Sequence, residues 1–538
     1  MAGYVQFYTK NGIEYGDFRV SLWDKERRTC TKTTEYLGRV LDKEKLIFKS
    51  REHGVFCLDV KNNTKMSPPK DLVIPKLSYK PRGISKTYAE YSAKQKDDRR
   101  VVNSFPKVVS FGEEYVYEKL INDYLGDAIC QMNGIESDSL KALVMYYSLS
   151  TEANSGALDW YKQSYAQVIY PEAKLNGAKI SELLKTLGND WYRNTFITYF
   201  AATLKNKFNL NMRRVAIDST GIPNNAKLSY TAISNHNGEF SNEARLIFVV
   251  DQESCLPLYY RCCPGNVPDM KTLEATFNHL KALDLTPEYV VLDAAYSYKE
   301  NIDIYSEFKV DFLTRIPASR KLYKDLIHDN YEDMLKHPEN YVTYQNRVLC
   351  IKRVPAQLEG NETVVDGFAY ICLDLERQAI EMAAANRKFM AGDINEQELL
   401  TSRQKAGLFM LGGTRDDLSE RDLLPAYYAR QDIEQTFDIG KHDASMLPIN
   451  IQSDDAFLGH MLVSYMSTIV QKVFQQNIAK NFKYSAPSLR RKLRAHKAWL
   501  NEKNIVLSDI AGAPVEIYKM LGLKHCQSLN YPESKQPN

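Results

Sequence analysis

The sequence lacks three features that would each point to a familiar class of protein. Its nine cysteines include no C-x-x-C spacing, and the one close pair, Cys262 and Cys263, is adjacent, so we predict neither a zinc site nor a disulfide framework. The first twenty residues contain no basic segment followed by an apolar one, so no secretory signal is expected. The most apolar stretch, MLVSYMSTIV from Met461, is far shorter than the ~20 residues of a membrane span. These absences favour a cytoplasmic protein with no membrane partner.

What is present is an ordinary globular composition with an uneven charge. The 538 residues are 44% hydrophobic and 25% charged, which predicts several packed units. Residues 1–107 carry 23 basic and 13 acidic side chains, a balance of +10, and residues 475–538 carry 11 and 4, a balance of +7. The net charge of +3 therefore leaves −14 for the middle. Basic ends around an acidic centre suit a protein that holds a polyanion and binds cations, although solvated charge for solubility explains the balance equally well.

The apolar pattern divides the first part of the chain into three regions. Residues 1–60 alternate apolar and polar positions, as in YVQFYTK and VFCLDV, which predicts a small β-containing module. The +10 charge balance of this end of the chain makes the module a candidate to bind DNA. Residues 61–107 contain KNNTKMSPPK and KQKDDRR and are interpreted as a basic linker or arm. Residues 108–210 have helical apolar spacing, as in SLKALVMYYSL, and predict a helical region.

The remaining chain predicts an α/β core that is interrupted once. Residues 211–317 give three strand-like segments and then alternate helix and strand (KENIDIYSEF, VDFLTRI), the order of the RNase H-like fold. GLFMLGG resumes this core over residues 406–475, with a long helix from about Asp417. Residues 318–405 are expected to form a β-rich insertion that includes one helix, LERQAIEMAAANRKFM, because a compact domain rarely leaves such a length unstructured. Residues 476–538 form a basic C-terminal region.

Two aspartates follow apolar runs that predict buried strands. Asp218 comes after VAI, and Asp293 comes after VVL. A carboxylate at the end of a buried strand needs a hydrogen-bond donor, a cation or a metal. Aspartate is also common at such places because it caps turns, so neither residue is decisive alone.

A four-residue pattern in YYARQDIEQTFDIGKHD changes that balance. The spacings of 3, 4 and 7 residues between Tyr427, Arg430, Glu434 and Lys441 put all four side chains on one face of a continuous helix. One carboxylate, two cations and a phenol can hold a metal beside a phosphate. Asp438 falls near the same face and is a rival to Glu434, and an exposed helix with ordinary ion pairs is the plain alternative.

The spacing Y-x2-R-x3-E-x6-K resembles the signature of DDE transposases of the fourth insertion-sequence family and its close relatives. The segments AIDSTGI, PGNVPDMKTL and VLDAAYSYKENI are similar to that family as well, and the resemblance covers residues 210–475. Upstream, RTCTKTTEYLGRV also resembles the amino-terminal segment of related transposases. Ala295 is a departure, because the family usually has glycine in that motif.

The resemblance implies a DNA transposase that cleaves transposon ends and joins them to target DNA. Asp218, Asp293 and Glu434 would be the catalytic carboxylates that bind two Mg²⁺ ions, with Mn²⁺ able to substitute. Tyr427, Arg430 and Lys441 would contact DNA phosphates near the transposon end. The partners implied are double-stranded terminal repeats and target DNA, bound by a homodimer on paired ends, in the cytoplasm of a bacterium and close to its nucleoid.

Other readings of the same residues stay open. One is a catalytically silent, transposase-derived DNA-binding protein, and another is an RNase H-like nuclease without strand transfer. A third, suggested by DSTG alone, is an actin-like ATPase, in which the four-residue pattern has no role.

The insertion suggests one more hypothesis. The 140 residues between Asp293 and Glu434 exceed what the core needs, so we expect residues 318–405 to lie over the active site and assist cleavage through a DNA hairpin, as in related transposases. An unstacked base could stack on an aromatic side chain there. The candidates are Tyr341, Tyr344, Phe368 and Tyr370, for which packing between strands is an equal alternative.

Overall fold

The computed structural model describes residues 3–10, 13–24, 29–50, 53–62, 64–68, 107–236 and 239–531. The fold is a mixed α/β arrangement with several sheets. It divides into two compact units, Met1–Ser104 and Phe105–Asn538. Most of the predicted basic arm, residues 69–106, lies outside the described residues.

The strands of the described residues are β1 Tyr4–Lys10, β2 Ile13–Asp24, β3 Thr29–Asp42, β4 Ile47–Ser50, β5 Gly54–Asp59, β6 Thr64–Met66, β7 Lys107–Ser110, β8 Arg214–Pro223, β9 Ala232–His236, β10 Glu239–Asp251, β11 Pro257–Pro264, β12 Tyr289–Leu292, β13 Asp311–Ile316, β14 Tyr341–Tyr344, β15 Arg347–Glu359, β16 Val364–Asp374, β17 Leu408–Gly413, β18 Lys497–Leu500, β19 Ile505–Leu507 and β20 Ser528–Leu529. The helices are α1 Gly112–Leu120, α2 Gly126–Cys130, α3 Ser137–Leu149, α4 Ala157–Gln163, α5 Ala166–Ile169, α6 Gly177–Leu187, α7 Asp190–Phe208, α8 Leu273–Ala282, α9 Lys299–Phe308, α10 Lys321–Lys336, α11 Leu375–Met390, α12 Glu396–Lys405, α13 Glu420–Tyr428, α14 Gln431–Asp438, α15 Asp454–Val473, α16 Ala486–Arg494 and α17 Ala513–Met520.

The first unit is an antiparallel sheet in which β1 to β6 pair in chain order. Its small core contains Phe18, Leu37, Phe48, Phe56 and Leu58. The alternation read from YVQFYTK and VFCLDV corresponds to β1 and β5, because strands with one buried face place apolar side chains at every second position.

The second unit is built on a long mixed sheet with the order β11-β10-β8-β12-β13-β17-β16-β15-β14, to which β9 adds beside β10. Strands β8, β12 and β13 are parallel to one another, whereas β10 is antiparallel to both β8 and β11. Their apolar runs, such as the fully buried YVVL of β12, fit a sheet covered on both faces. The predicted helix KENIDIYSEF and strand VDFLTRI are confirmed as α9 and β13.

The segment 318–405 differs from the expectation in two ways. Its strands β14, β15 and β16 pair in succession beyond β17 and so extend the central sheet, instead of forming a sheet of their own. The segment is also not β-rich, because α10, α11 and α12 together contain more residues than its strands. The sequence reading found α11 but missed α10, whose buried Tyr323 and Met334 follow a helical spacing.

The apolar run MLVSYMSTIV lies in α15, a helix buried on nearly all sides. A helix that is apolar all round belongs in a protein core or a membrane, and here α15 packs against α3 and α6 of the helical region. Among the described residues, no helix combines the length and apolarity needed to cross a membrane.

The basic C-terminal segment RRKLRAHKAW begins in α16 and continues into β18, which pairs with β7 and β19. Two of its three arginines form ion pairs with acidic residues of the second unit. Arg490 forms an ion pair with Asp443 at 3.1 Å, and Arg494 forms one with the buried Glu113 at 2.5 Å. These two side chains therefore support the packing of the second unit.

Candidate active site

Asp218 lies near the middle of β8, opposite Phe248 of β10. Its carboxylate accepts a hydrogen bond from the backbone N–H of Ser219 at 2.8 Å, and its side chain is 19% exposed. Burial raises the pKa of Asp218 to about 6, while the nearby Arg430 opposes that shift. Because burial disfavours the ionised form of this carboxyl group, additional positive charge beside it would stabilise that form.

Asp293 follows the last residue of β12, the parallel neighbour of β8. Its side chain caps the next turn by accepting a hydrogen bond from Ala294 N–H at 2.7 Å. Thr314 of β13 fixes the backbone, because its hydroxyl donates to the Asp293 carbonyl at 2.8 Å. The last residue pair between the parallel strands β12 and β8 is Val291 with Ala216. Asp293 and Asp218 each come two residues after that pair, so both lie where β12 ends.

The prediction of one long helix from about Asp417 is wrong, because two helices, α13 and α14, occupy that region. The chain tightens between them: Arg430 N–H bonds the Tyr427 carbonyl and Ile433 N–H bonds the Arg430 carbonyl, each three residues back. Such bonds are typical of a 3₁₀ turn. Lys441 lies further on, in a π-helical turn, Ile439–Asp443. The four residues of the pattern therefore lie on four successive pieces of backbone.

Packing fixes α14 against the central sheet. Phe437 stacks on Phe248 of β10, with ring centroids 5.1 Å apart, and Ile433 is fully buried. The buried Lys472 of α15 lies 3.9 Å from Asp432. Because Phe248 is also the strand partner of Asp218, this packing sets the distance between Asp218 and the helix that carries Glu434.

Arg430 connects the three carboxylates. Its guanidinium lies 3.0 Å from Asp293, 3.3 Å from Glu434 and 4.0 Å from Asp218. Burial opposes its charge, yet Tyr427, Asp293 and Asp218 raise the pKa of Arg430 above its ordinary value. The exposed Asp438 is not among its ion-pair partners in the described part of the chain.

The carboxylates are gathered around this guanidinium rather than around a common point. Among the residues that the structure describes, no group of three His, Cys, Asp or Glu side chains is close enough to hold a metal ion. The donor set itself is suitable, because three carboxylates offer the hard oxygen atoms that Mg²⁺ prefers, and Asp293 and Glu434 are 44% and 58% exposed.

Tyr427 and Lys441 flank the carboxylates. Tyr427 is buried under Arg430, whose guanidinium carbon is 5.6 Å from the ring centroid, and burial raises the pKa of Tyr427 to about 12. Lys441 donates a hydrogen bond to the hydroxyl of Thr220 at 2.6 Å. Burial lowers the pKa of Lys441. Tyr427 and Lys441 therefore both lie beside the carboxylates, Tyr427 next to Arg430 and Lys441 on the segment that follows Asp218.

Sequence reasoning missed a group of polar residues beside Asp218. The Ser219 hydroxyl donates to Asp269 at 2.5 Å, and Arg245 forms an ion pair with the same carboxylate. Asp269 lies in PGNVPDMKTL, a segment that showed the family resemblance but received no role for any residue. An aspartate within a segment that resembles the family was the sequence signal that could have identified Asp269.

The comparison with protein families decides the identity of this region. Residues 209–469 match the transposase DDE domain family. These residues are a transposase DDE domain, which supports a DDE transposase. The DDE domain contains Asp218, Asp293, Glu434 and the whole Y-R-E-K pattern.

The other comparisons add little. No curated protein matches the chain significantly. Among solved structures, the chain is similar to the piggyBac transposase in a cryo-electron microscopy structure of its synaptic complex with hairpin DNA, over 71% of this chain and 79% of that one. The sequences are 8% identical and the TM-score is 0.31, a similarity too low to carry an argument.

Proposed function

We propose that the protein binds the ends of an insertion sequence, cleaves their phosphodiester bonds with two divalent metal ions and joins them to target DNA. The observation that carries this proposal is the convergence of Asp218, Asp293 and Glu434 on Arg430 within the DDE domain. Like charges repel, so bringing three carboxylates together costs stability. Their convergence therefore favours a functional role over a purely structural one.

The proposed core is RNase H-like. Strands β8, β10 and β11 come first along the chain, and helices then alternate with β12 and β13. The order β11-β10-β8-β12-β13 places the first strand at the centre of these five. Asp218 on that first strand and Asp293 after its parallel neighbour then supply two carboxylates at one edge.

The proposed cofactor is a pair of Mg²⁺ ions, for which Mn²⁺ could substitute. Asp218, Asp293 and Glu434 would hold them, and their donor atoms are hard oxygens, which these ions prefer. When bound, two such ions stabilise the attacking and leaving oxygens of phosphodiester hydrolysis. The residues of the chain place the carboxylates at the sheet edge and balance their charge through Arg430.

The proposed DNA contacts are those of the Y-R-E-K signature. Arg430 and Lys441 carry the positive charge that a DNA phosphate needs, and both lie beside the carboxylates. The expected partners are terminal repeats and target DNA, held by a homodimer on paired ends. We propose that it acts in the bacterial cytoplasm, close to the nucleoid.

Second-strand cleavage through a hairpin belongs to this proposal too, although the aromatic residues suggested for it have other contacts. Tyr370 is buried and donates to the Leu418 carbonyl at 2.8 Å, and Arg353 lies 3.6 Å above the Phe368 ring. Tyr344 stacks on Tyr428, next to the signature residue Tyr427. Tyr341 is 37% exposed and is the most exposed of the four residues.

The experiment is to incubate the full chain with labelled DNA carrying the ends of its own element and Mg²⁺, and to map the products on a denaturing gel. Metal-dependent cuts at the ends, followed by joining to a target plasmid, would support the proposal. Cuts without joining would favour a nuclease, and end binding without cuts would favour a silent DNA-binding protein. Nucleotide hydrolysis in place of DNA cleavage would favour the ATPase alternative.

A further inference from the structure

A cluster of polar side chains lies on the face of β8 opposite Asp218. Because side chains alternate along a strand, Ser219 points away from the face that carries Asp218 and toward Asp269, in the turn before α8. The Ser219 hydroxyl donates to Asp269 at 2.5 Å. Arg245 of β10 forms an ion pair with Asp269 and also lies 3.5 Å from the Ser219 hydroxyl.

The cluster is largely buried and closely packed. The side chains of Arg245 and Asp269 are 8% and 23% exposed. Arg245 also lies 3.9 Å from the buried Glu243, whose carboxylate fills the space beside Gly221 so closely that a methyl group there would collide with it. Ser219 and Arg245 both bind one oxygen of the Asp269 carboxylate, Oδ1.

Ser219 connects this cluster to the active site. Its hydroxyl is bound to Asp269, and its backbone N–H donates to the Asp218 carboxylate at 2.8 Å. The next residue, Thr220, receives the hydrogen bond from Lys441. The short segment after Asp218 is therefore held from both faces of the strand, by Asp269 on one side and by a signature residue on the other.

We propose that Asp269, held by Arg245, is a positioning residue that acts through Ser219 to fix the orientation of the Asp218 carboxylate. This inference rests on the proposed function, because it assigns a role in the same cleavage reaction. A misplacement of about 1 Å in a reacting group can cost roughly 100-fold in rate. Loss of the Ser219–Asp269 hydrogen bond should therefore slow cleavage without weakening the binding of DNA ends.

The test measures single-turnover cleavage of a DNA end in Mg²⁺, together with the dissociation constant for the same DNA. Ser219→Ala and Asp269→Ala should each lower the cleavage rate about tenfold or more and leave the dissociation constant unchanged. Because both substitutions remove the same Ser219–Asp269 hydrogen bond, the double variant should be no slower than the slower single variant. Ser219→Thr keeps a hydroxyl and should restore at least half of the normal rate.

A matched control exists elsewhere in the same sheet. The Ser254 hydroxyl donates to the buried Asp251 at 2.7 Å at the far end of β10, so Ser254→Ala removes a serine–aspartate hydrogen bond in which neither residue is bonded to Asp218. It should cleave at the normal rate. Equal slowing by Ser254→Ala, additive effects of the two test variants, or normal cleavage by Ser219→Ala would each overturn the inference.

Two further results separate the possible failures. If the unmodified protein does not cut DNA ends, the proposed function itself fails. If the unmodified protein cuts and Asp269→Ala does not fold, the comparison of Ser219→Ala with Ser219→Thr decides the inference, since a positioning role requires the hydroxyl and a packing role does not.

Discussion

At the scale of single residues, Arg430 determines the electrostatics of the site. It is the one cation within ion-pair distance of all three carboxylates in the described part of the chain. A guanidinium presents several N–H groups in a rigid plane, whereas an ammonium is a single point charge. Arginine is therefore suited to bridging acidic groups that come from three different elements.

Replacing Arg430 with Gln should reduce DNA cleavage by roughly 100-fold or more, because a preorganised charge beside the reacting groups is lost. Replacing it with Lys should recover less than a tenth of the normal rate, since one ammonium cannot reach three carboxylates together. Single-turnover cleavage rates measure both effects. A normal rate for Arg430→Lys would show that the bridging geometry is not needed.

The burial of Glu114 leads to a prediction about stability that does not depend on DNA. Its side chain is buried, and burial raises its pKa from 4.5 to about 7. Between these pH values the folded protein binds more protons than the unfolded chain, so this residue lowers the free energy of unfolding as the pH rises from about 4.5 to 7. The full loss is about 3 kcal/mol, at 1.36 kcal/mol for each pKa unit.

The Glu114→Gln protein should therefore lose less stability than the unmodified protein between pH 5 and pH 8. Chemical denaturation followed by tryptophan fluorescence at the two pH values measures the difference. Glu152→Gln is the control, because Glu152 is an exposed carboxylate that lines one surface cavity together with Glu114. Identical pH dependence for the unmodified and Glu114→Gln proteins would contradict the assignment of a buried, titrating carboxyl group.

At the scale of elements, α6 and α15 approach each other closely at two glycines. A Cβ on Gly459 of α15 would collide with the Leu184 carbonyl of α6, and a Cβ on Gly188 would collide with the Asp455 carbonyl. Glycine is disfavoured inside a helix by about 1 kcal/mol relative to alanine. Its presence in α15 is explained by the space that α6 requires.

Gly459→Ala should lower the free energy of unfolding by about 1 to 3 kcal/mol, because the cost of overpacking exceeds the gain in helix propensity. Gly177→Ala at the start of α6 is the matched control, since nothing lies within 4 Å of its added methyl group. It should be neutral or stabilise by up to about 1 kcal/mol. Thermal and chemical denaturation compare the two variants, and equal stability for both would contradict the close packing.

The elements also show what could be predicted from the sequence. The helix LERQAIEMAAANRKFM coincides with α11, because strong local periodicity determines it. The break between α13 and α14 could not be read from spacing, because the tightened turn at Arg430 forms where α14 packs on β10 and α15. Asp269 was missed for a similar reason: its partners Ser219 and Arg245 come from strands that are distant in the sequence.

At the scale of the whole molecule, the two compact units divide at Ser104 and Phe105. Removing residues 1–104 should leave the second unit folded, since β7 begins at Lys107. Affinity for transposon ends should fall, and its dependence on salt should flatten, because the region to residue 107 has a charge balance of +10. Circular dichroism checks the fold, and titrations at several salt concentrations give the affinity.

Unchanged end affinity in the truncated protein would place recognition in the second unit. The basic run of α16 would then be considered, but Arg490 and Arg494 are already paired with Asp443 and Glu113. Arg491 and Lys492 would be the residues of that helix to test first.

The central claim is that Asp218, Asp293 and Glu434 form the centre of a metal-dependent DNA-cleaving site, with Glu434 rather than the exposed Asp438 as the third carboxylate. The most direct measurement compares cleavage of a labelled transposon end in Mg²⁺ by the unmodified, Glu434→Gln and Asp438→Asn proteins. We predict that Glu434→Gln reduces the rate by at least about 100-fold with end binding retained, and that Asp438→Asn cleaves normally. Normal cleavage by Glu434→Gln together with its loss in Asp438→Asn would contradict this account of the site.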